Sequence, residues 1–442
     1  MSRNSLLPGI AFLFIVLTLS ACGGSPRNSI DNIVVWHWLT DRDQAFLELA
    51  NRYKQETGIT VSFELYAPSD AYTQKVRASA QTETLPDIFG LLAEKRDFAS
   101  FIKAGHVADL TADMEKDNGA WQNSLFDKAL DVNRFLTGNQ WGVNPGVYGV
   151  PVDVSNIQML YNKDLFKKAG LDPERPPKTW AEFLEAGTAL KAAGISGLVS
   201  GWGEVWMIDC FLSNYAMNIM GMDKYIATLR GEVPYTDPDW IKALGIFKEM
   251  TDAGILTPGI VAMVNKSAEQ TFANSRAAFA FNGSWCVNVY KGMNPNLNYG
   301  AMLPPKISAD NPMYIWGGSG TSFMVNEKSP NKEKAIAFLR WLTQKEQQSY
   351  LARETNNLPS NKKSLADITP ILAQFADGMP NVTHPNVLPI NEYSQVIEFL
   401  TKGAQSIIIG EKTPEQVAKE VQEIKEKKMA YEKAKKEREK VQ

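Results

Sequence analysis

Reactive side chains are scarce for a chain of this length. Three cysteines and three histidines occur in 442 residues, and His37, His106 and His384 lie far apart in the sequence. A clustered zinc site and thiol chemistry therefore have little to draw on. Charge of one sign is missing as well. Lys and Arg number 46 against 49 Asp and Glu, a formal charge of -3, so nothing global draws the chain to nucleic acid or anionic lipid. No repeat of fixed period is present, which excludes solenoids and propellers. A serine elbow, an HExxH helix and a phosphate loop are also missing, which leaves the common hydrolase and kinase signatures without support.

What is present is an ordinary globular mixture with a surplus of flat rings. Hydrophobic residues make up 44% and charged residues 21%, far from the signature of disorder, and the length allows two or three domains. Eleven Trp, 14 Tyr and 20 Phe give the chain many flat apolar faces, the first hint of a binding surface.

The N-terminus sets the compartment. Arg3 precedes an apolar run from Leu6 to Leu19 that is too short for a membrane span and reads as an export signal over residues 1–21. The following Leu19-Ser20-Ala21-Cys22 resembles the lipobox of bacterial lipoproteins, which implies acylation of Cys22 and a lipid-anchored protein on the extracytoplasmic face of the cell membrane, periplasmic or extracellular. More than one acyl chain gives stable attachment at about 0.8 kcal/mol per buried methylene. Residues 22–31 form the tether, and no second stretch is long and apolar enough to span a bilayer. Cys210 and Cys286 remain, either as a disulfide that the exterior permits or, the preferred reading, as two separate buried thiols.

The body repeats a strand, helix, strand grammar. Val34, Trp36 and Trp38 share one face of a strand over Ile33 to Leu39, while Ala45, Phe46, Leu49, Ala50 and Tyr53 recur at helical spacing before Gly58. Ile59, Val61, Phe63 and Leu65 alternate as the next strand, a helix starts near Asp70, and Pro86 to Phe89 reads as a third strand. Thr179 with Glu182 predicts a capping box, and Asp237-Pro238 and Ser329-Pro330 predict helix starts. These elements predict a parallel α/β architecture. Pro414 to Gln442 reads as a charged surface helix with a short Val417, Val421, Ile424 stripe, fraying into solvent.

Three segments carry a resemblance. YGVPVDVSNIQMLYNKDLFKKAGLDPERPPKTWAEF from Tyr148, FANSRAAFAFNGSW at residues 272–285 and GGSGTSFMVNEKSPNKEKAIAFLRWLT at residues 317–343 together resemble extracellular solute-binding proteins of bacterial ABC importers, in the sugar-binding group that includes the maltodextrin-binding proteins. The resemblance implies a periplasmic-binding-protein-like fold: two α/β lobes joined by hinge strands, with a ligand cleft between them. The expected crossings lie near residues 151–156, 312–319 and 353–358. Lobe one is expected at residues 32–150 plus 319–354 and lobe two at 151–318 plus 355–413, followed by the helix at 414–442. A carbohydrate ligand, the membrane permease subunits of an ABC importer as partners, a monomeric state and no cofactor are implied with it.

A pyranose presents an apolar C–H face and a rim of hydroxyls, which call for an aromatic platform and planar carboxylates. The resemblance puts a stacking role on Trp285 and a sugar-contacting acid and ring on Glu204 and Trp206; the bland alternative for Trp285 is core packing. Trp202 is a weaker candidate. Trp316 and Gly318 sit at an expected crossing, where small residues allow close approach, though Trp316 could equally pack beneath the hinge. From lobe one, Trp38, Asp41 and Arg42 follow the first strand, with helix capping the equal alternative for Asp41 or Asp43. Glu94 follows the third strand. Asp153 lies on the first crossing, where a buried charge is costly unless it is paired or faces ligand. Two other readings stand beside sugar capture: a secreted carbohydrate hydrolase or lyase using two carboxylates, and the same fold binding a polyamine, metal complex or peptide.

Overall fold

The computed structural model describes residues 32–92 and 94–439; Cys22, the export signal and the tether lie outside them. Asn32–His37 forms a strand buried from Ile33 onward, paired in parallel with Thr60–Leu65 on one side and Ile88–Gly90 on the other. Parallel neighbours need crossovers, and helices Asp43–Thr57 and Ser69–Gln81 supply them. The first helix buries Ala45, Phe46, Leu49, Ala50 and Tyr53 and stops at Gly58, whose φ of 77° lets its N–H reach the Lys54 carbonyl.

An acidic cap on that helix, at Asp41 or Asp43, is not what forms. Arg42 holds the cap position without a side-chain hydrogen bond, while Asp43 sits 3.3 Å from His37 Nε2. The other local signals behave as their chemistry dictates. Thr179 and Glu182 close a reciprocal capping box, and Asp237 caps a helix that begins at Pro238. The helix signalled by Ser329-Pro330 starts two residues later, at Lys332, because the Ser329 hydroxyl is used by Asp87 and the Asn331 N–H.

Two long strands unite the molecule. Val150–Asn162 has 13 residues and Ile315–Val325 has 11, so at about 3.4 Å per residue each is far longer than one lobe requires. Their outer ends serve different neighbours: Phe323 to Val325 pairs with Ile88–Gly90, whereas Ile157 to Tyr161 pairs with Phe279–Gly283. Between those ends Gly317 faces Asn156 and Gly318 faces Ser155, and on the opposite edge Leu358 faces Val154. Three segments thus run side by side at the waist. Gly318 has φ 129°, and a Cβ there would sit 2.9 Å from Val132 Cγ2 and 3.1 Å from the Lys128 carbonyl oxygen; the waist tolerates no side chain at this position.

The buried apolar side chains divide accordingly. One set runs from Ile33 to Val152 and resumes from Phe323 to Leu351. The other gathers residues from Val154 to Ile315 and from Leu358 to Val421, with Ala129 joining it. The fold is two α/β lobes on one continuous, curled mixed sheet. The C-terminal helix Pro414–Glu439 is not wholly a surface element: Val417, Ala418, Val421 and Lys425 are buried against the second lobe. Cys210 and Cys286 are both free and both buried. Among the described residues no helix is long and apolar enough to cross a membrane.

Candidate functional site

In open α/β sheets the crevice beyond the carboxyl ends of the strands is where chain reversals leave room for a ligand. Here the carboxyl ends of both lobes carry the aromatic and acidic residues. Trp38, Asp41 and Arg42 follow Asn32–His37, and Glu94 follows Ile88–Gly90; Glu204 and Trp206 follow Leu198–Val199, and Trp285 follows Phe279–Gly283. Of these, Glu94 and Trp206 line a cavity of about 540 Å³, whose other walls include Asp209, Trp316, His384 and Glu392 of the second lobe. That volume falls within the usual ~300–1,000 Å³ of small-molecule sites.

Trp206 is 41% exposed, an unusual state for so large an apolar ring. Its Nε1 donates to Glu204 Oε2 at 2.7 Å, and the other oxygen of Glu204 accepts the Asn265 N–H at 2.7 Å. The carboxylate therefore fixes the indole. Trp285 stands beside it, ring centroids 6.0 Å apart and planes tilted by 51°. The Trp285 ring lies directly on Gly283, where any Cβ would collide with it. Trp316 lines the cavity, its Nε1 donating to Ser213 Oγ at 2.7 Å and its ring 6.1 Å from that of His384. Trp202, by contrast, is fully buried against Phe211 and Phe247.

Glu204 and Trp285 stand beside Trp206 outside the cavity lining, and the remaining expected site residues do not line it either. Arg42 and Asp153, both buried, form an ion pair, and Arg42 also donates to Thr321 Oγ1 at 3.1 Å. One guanidinium thereby engages both long strands at the waist. Asp153 faces this cation because a charge on a buried strand needs an opposite charge nearby; burial pushes its carboxyl up to about 6 even so, with Arg42 opposing the rise. Asp41 lies 3.6 Å from Arg42 Nε and accepts from Asn357 at 3.4 Å. Gly318 is packed at the waist, and Trp38 rests on Gly90 beside Tyr72, centroids 5.0 Å apart.

The model of the bacterial extracellular solute-binding proteins matches residues 48–377. The chain belongs to that family. The solute-binding protein is 26% identical over 429 residues to a binding protein of Brucella abortus (strain 2308), covering 95% of this chain and 96% of the relative. It is 26% identical over 284 residues to the sn-glycerol-3-phosphate-binding periplasmic protein UgpB of Shigella flexneri, 60% of this chain and 63% of that one. Among solved structures, a chitin oligosaccharide binding protein superposes with a TM-score of 0.71 at 22% identity, covering 90% of this chain and 98% of its own. A raffinose complex of the binding protein RafE gives 0.68 at 17% identity, covering 88% and 97%. These likenesses establish the two-lobed fold.

Several cavity residues of the solute-binding protein carry little signal in the sequence. Asp209 is the only charged residue between Glu204 and Asp223, set in a stretch that otherwise reads as core. Trp206, Asp209, Ser213 and Met217 recur at helical spacing along Val205–Arg230 and all line the cavity. The Asp209 carboxyl is pushed up to about 7, first by burial and then by Glu392. Glu392 itself is held by Lys425, whose Nζ lies 2.7 Å from both of its oxygens, and by the Tyr235 hydroxyl, which donates at 2.8 Å. His384 is held down to about 4 by burial, with Lys95 adding repulsion, so it is neutral near pH 7. The lining contains three carboxylates, Glu94, Asp209 and Glu392, and neither Lys nor Arg.

Proposed function

We propose that this solute-binding protein captures a carbohydrate between its lobes by hinge closure and delivers it, chemically unchanged, to the permease of an ABC importer. It acts as a monomer, anchored by acyl chains on Cys22 to the extracytoplasmic face of the membrane. The observation that carries the reading is the exposed Trp206, braced by Glu204 and set beside Trp285 at the cavity. An exposed ring held rigid by a carboxylate is costly in a surface with no use for it, and it suits the C–H face of a pyranose. On this reading Trp206, Trp285 and Trp316 stack on sugar rings, and Glu204, Glu94 and Asp209 accept from hydroxyls. Arg42, Asp153, Asp41 and Gly318 serve closure at the waist, and Trp38 forms the wall of the first lobe.

A phosphorylated ligand, such as the name of the Shigella relative suggests, fits this cavity poorly. A phosphate dianion calls for Arg or Lys, and the lining has neither while presenting three carboxylates. The names of the chitin oligosaccharide and raffinose binders favour a sugar.

The test is to titrate the purified mature protein with a panel of mono- and oligosaccharides, reading the melting temperature and then the recovered sugars by chromatography. The reading expects one class of sugar to raise the melting temperature by mass action and to be recovered intact. Cleaved sugar would make the protein a hydrolase; no shift with any sugar would remove carbohydrate from the proposal.

A further inference from the structure

We infer that the cavity selects a ligand bearing a protonated amine, which pairs with the Asp209 carboxylate while its body lies against Trp206 and Trp316; on the carbohydrate reading above, on which this rests, the ligand is an amino sugar with its nitrogen unblocked.

The wall has already spent part of its hydrogen-bonding capacity within the protein. Its indole N–H groups are spent: Trp206 on Glu204 at 2.7 Å, Trp316 on Ser213 at 2.7 Å and Trp240 on Thr228 at 2.9 Å. The Tyr235 hydroxyl is spent on Glu392. The hydroxyls of Tyr225, Thr383 and Ser394 remain, able to donate or accept, together with carboxylate oxygens. Among the described residues the Asp209 carboxylate has no hydrogen bond and no ion pair, and the buried Oδ1 of Asn391, in the same wall, has no partner. An ammonium is a pure donor and matches such a wall, whereas an anion would meet only like charge.

Charge points the same way. Of the three carboxylates, Glu392 is neutralised by Lys425 and Glu94 lies exposed at the first lobe's edge. Asp209 alone is both enclosed and uncompensated. A half-buried carboxyl without a partner loses part of its hydration, so a cation arriving beside it recovers Coulomb energy that a neutral hydroxyl does not. Trp206 lies one helical turn before Asp209 and Trp316 is bonded to Ser213 one turn after it, so the carboxylate is flanked by two rings able to hold a cation over a π face. The groups that face Asp209 from neighbouring elements are Glu392, Tyr225, Tyr235, His384 and, on its own helix, Cys210. Burial raises the tyrosines and the thiol, and His384 is held neutral. Asp209 is therefore the group whose proton an ammonium displaces near neutral pH.

The experiment is isothermal titration calorimetry of the mature protein at pH 6.5, in two buffers of different ionisation enthalpy. The probes are the β-1,4-linked glucosamine dimer, its di-N-acetyl form, cellobiose and spermidine. The expected result is at least tenfold tighter binding of the free-amine dimer than of the other two disaccharides, with fractional proton release. Asp209→Asn is expected to abolish both the preference and the release. Equal affinity for all three disaccharides, unchanged in Asp209→Asn, overturns the inference and leaves carbohydrate capture standing. Spermidine binding that depends on Asp209, with no sugar bound, keeps the amine and overturns the carbohydrate reading. Binding of none of the four overturns both. If Asp209→Asn fails to fold, the wild-type preference and proton release decide alone.

Discussion

Lys425, on the C-terminal helix, and Glu392, on the wall of the cavity, form a charge pair with 2% and 6% of their side chains exposed and Nζ within 2.7 Å of both carboxylate oxygens. The pair ties the last helix to the site. Lys425 also donates to the Leu229 carbonyl at 2.7 Å, so the ammonium is fully used. Burial lowers its affinity for the proton while Glu392 restores part of it.

Removing one member of such a pair leaves the other uncompensated. Lys425→Met is expected to destabilise the protein by about 3–5 kcal/mol in urea unfolding. Adding Glu392→Gln is expected to recover most of that loss. A single substitution that leaves the unfolding midpoint unchanged would show that the helix is dispensable to the second lobe.

Trp206 separates binding from stability. Because 41% of the residue is exposed, Trp206→Ala is expected to cost less stability than the ~3–5 kcal/mol of a core Trp truncation. The same change is expected to weaken ligand binding about tenfold, roughly 1.4 kcal/mol. Fluorescence titration checks the second figure. Wild-type affinity in both Trp206→Ala and Trp285→Ala would remove the stacking platform from the account.

Acid should reveal opposing protonations. The buried His37 and His384 are held down to about 4, so between the ordinary histidine value and pH 4 the unfolded chain takes up protons that the folded chain refuses. Stability from these groups is lost as pH falls through that window. Asp153 and Asp209, pushed up to about 6 and about 7, act in the other sense: the folded state protonates first, so acidification from pH 7 towards 4 favours it. Asp209→Asn removes one of the compensating terms. The variant is expected to exceed wild type in stability at pH 8 and to lose that advantage by pH 4, measured by urea unfolding across the range. An advantage that does not depend on pH would contradict the enclosed, ionising carboxyl.

The proposed lipid anchor has a direct check. Cys22→Ser is expected to abolish incorporation of labelled palmitate in a bacterial host and to prevent maturation to the membrane-bound form. Continued labelling would place the acyl chains elsewhere.

Local chemistry made much of the fold legible in the sequence. The capping box of Thr179 and Glu182 and the Asp237-Pro238 start depend only on near neighbours, and both form. Trp206 and Trp285 were legible through the family resemblance of their segments, although apolar residues flank both, Val205 and Met207 beside Trp206 and Cys286 and Val287 after Trp285. Long-range partners were not legible. Whether Asp153 faces a ligand or a cation depends on where Arg42 arrives, and nothing within either segment encodes that meeting. Asp209 was hidden among buried apolar neighbours, Met207, Ile208, Cys210 and Phe211, so its stretch reads as core. His384 and Glu392 come from an irregular segment without periodicity, brought to the cavity by the pairing of Val382–Thr383 with Ile315–Trp316 and by the Lys425–Glu392 ion pair.

The space between the lobes is proposed to hold a saccharide and leave it whole. A crystal structure of the mature protein with the sugar that most raises its melting temperature tests this most directly. The account predicts an intact saccharide against the rings of Trp206 and Trp316, within hydrogen-bonding reach of Asp209. Sugar density anywhere outside that cavity, or a broken glycosidic bond within it, would contradict the account.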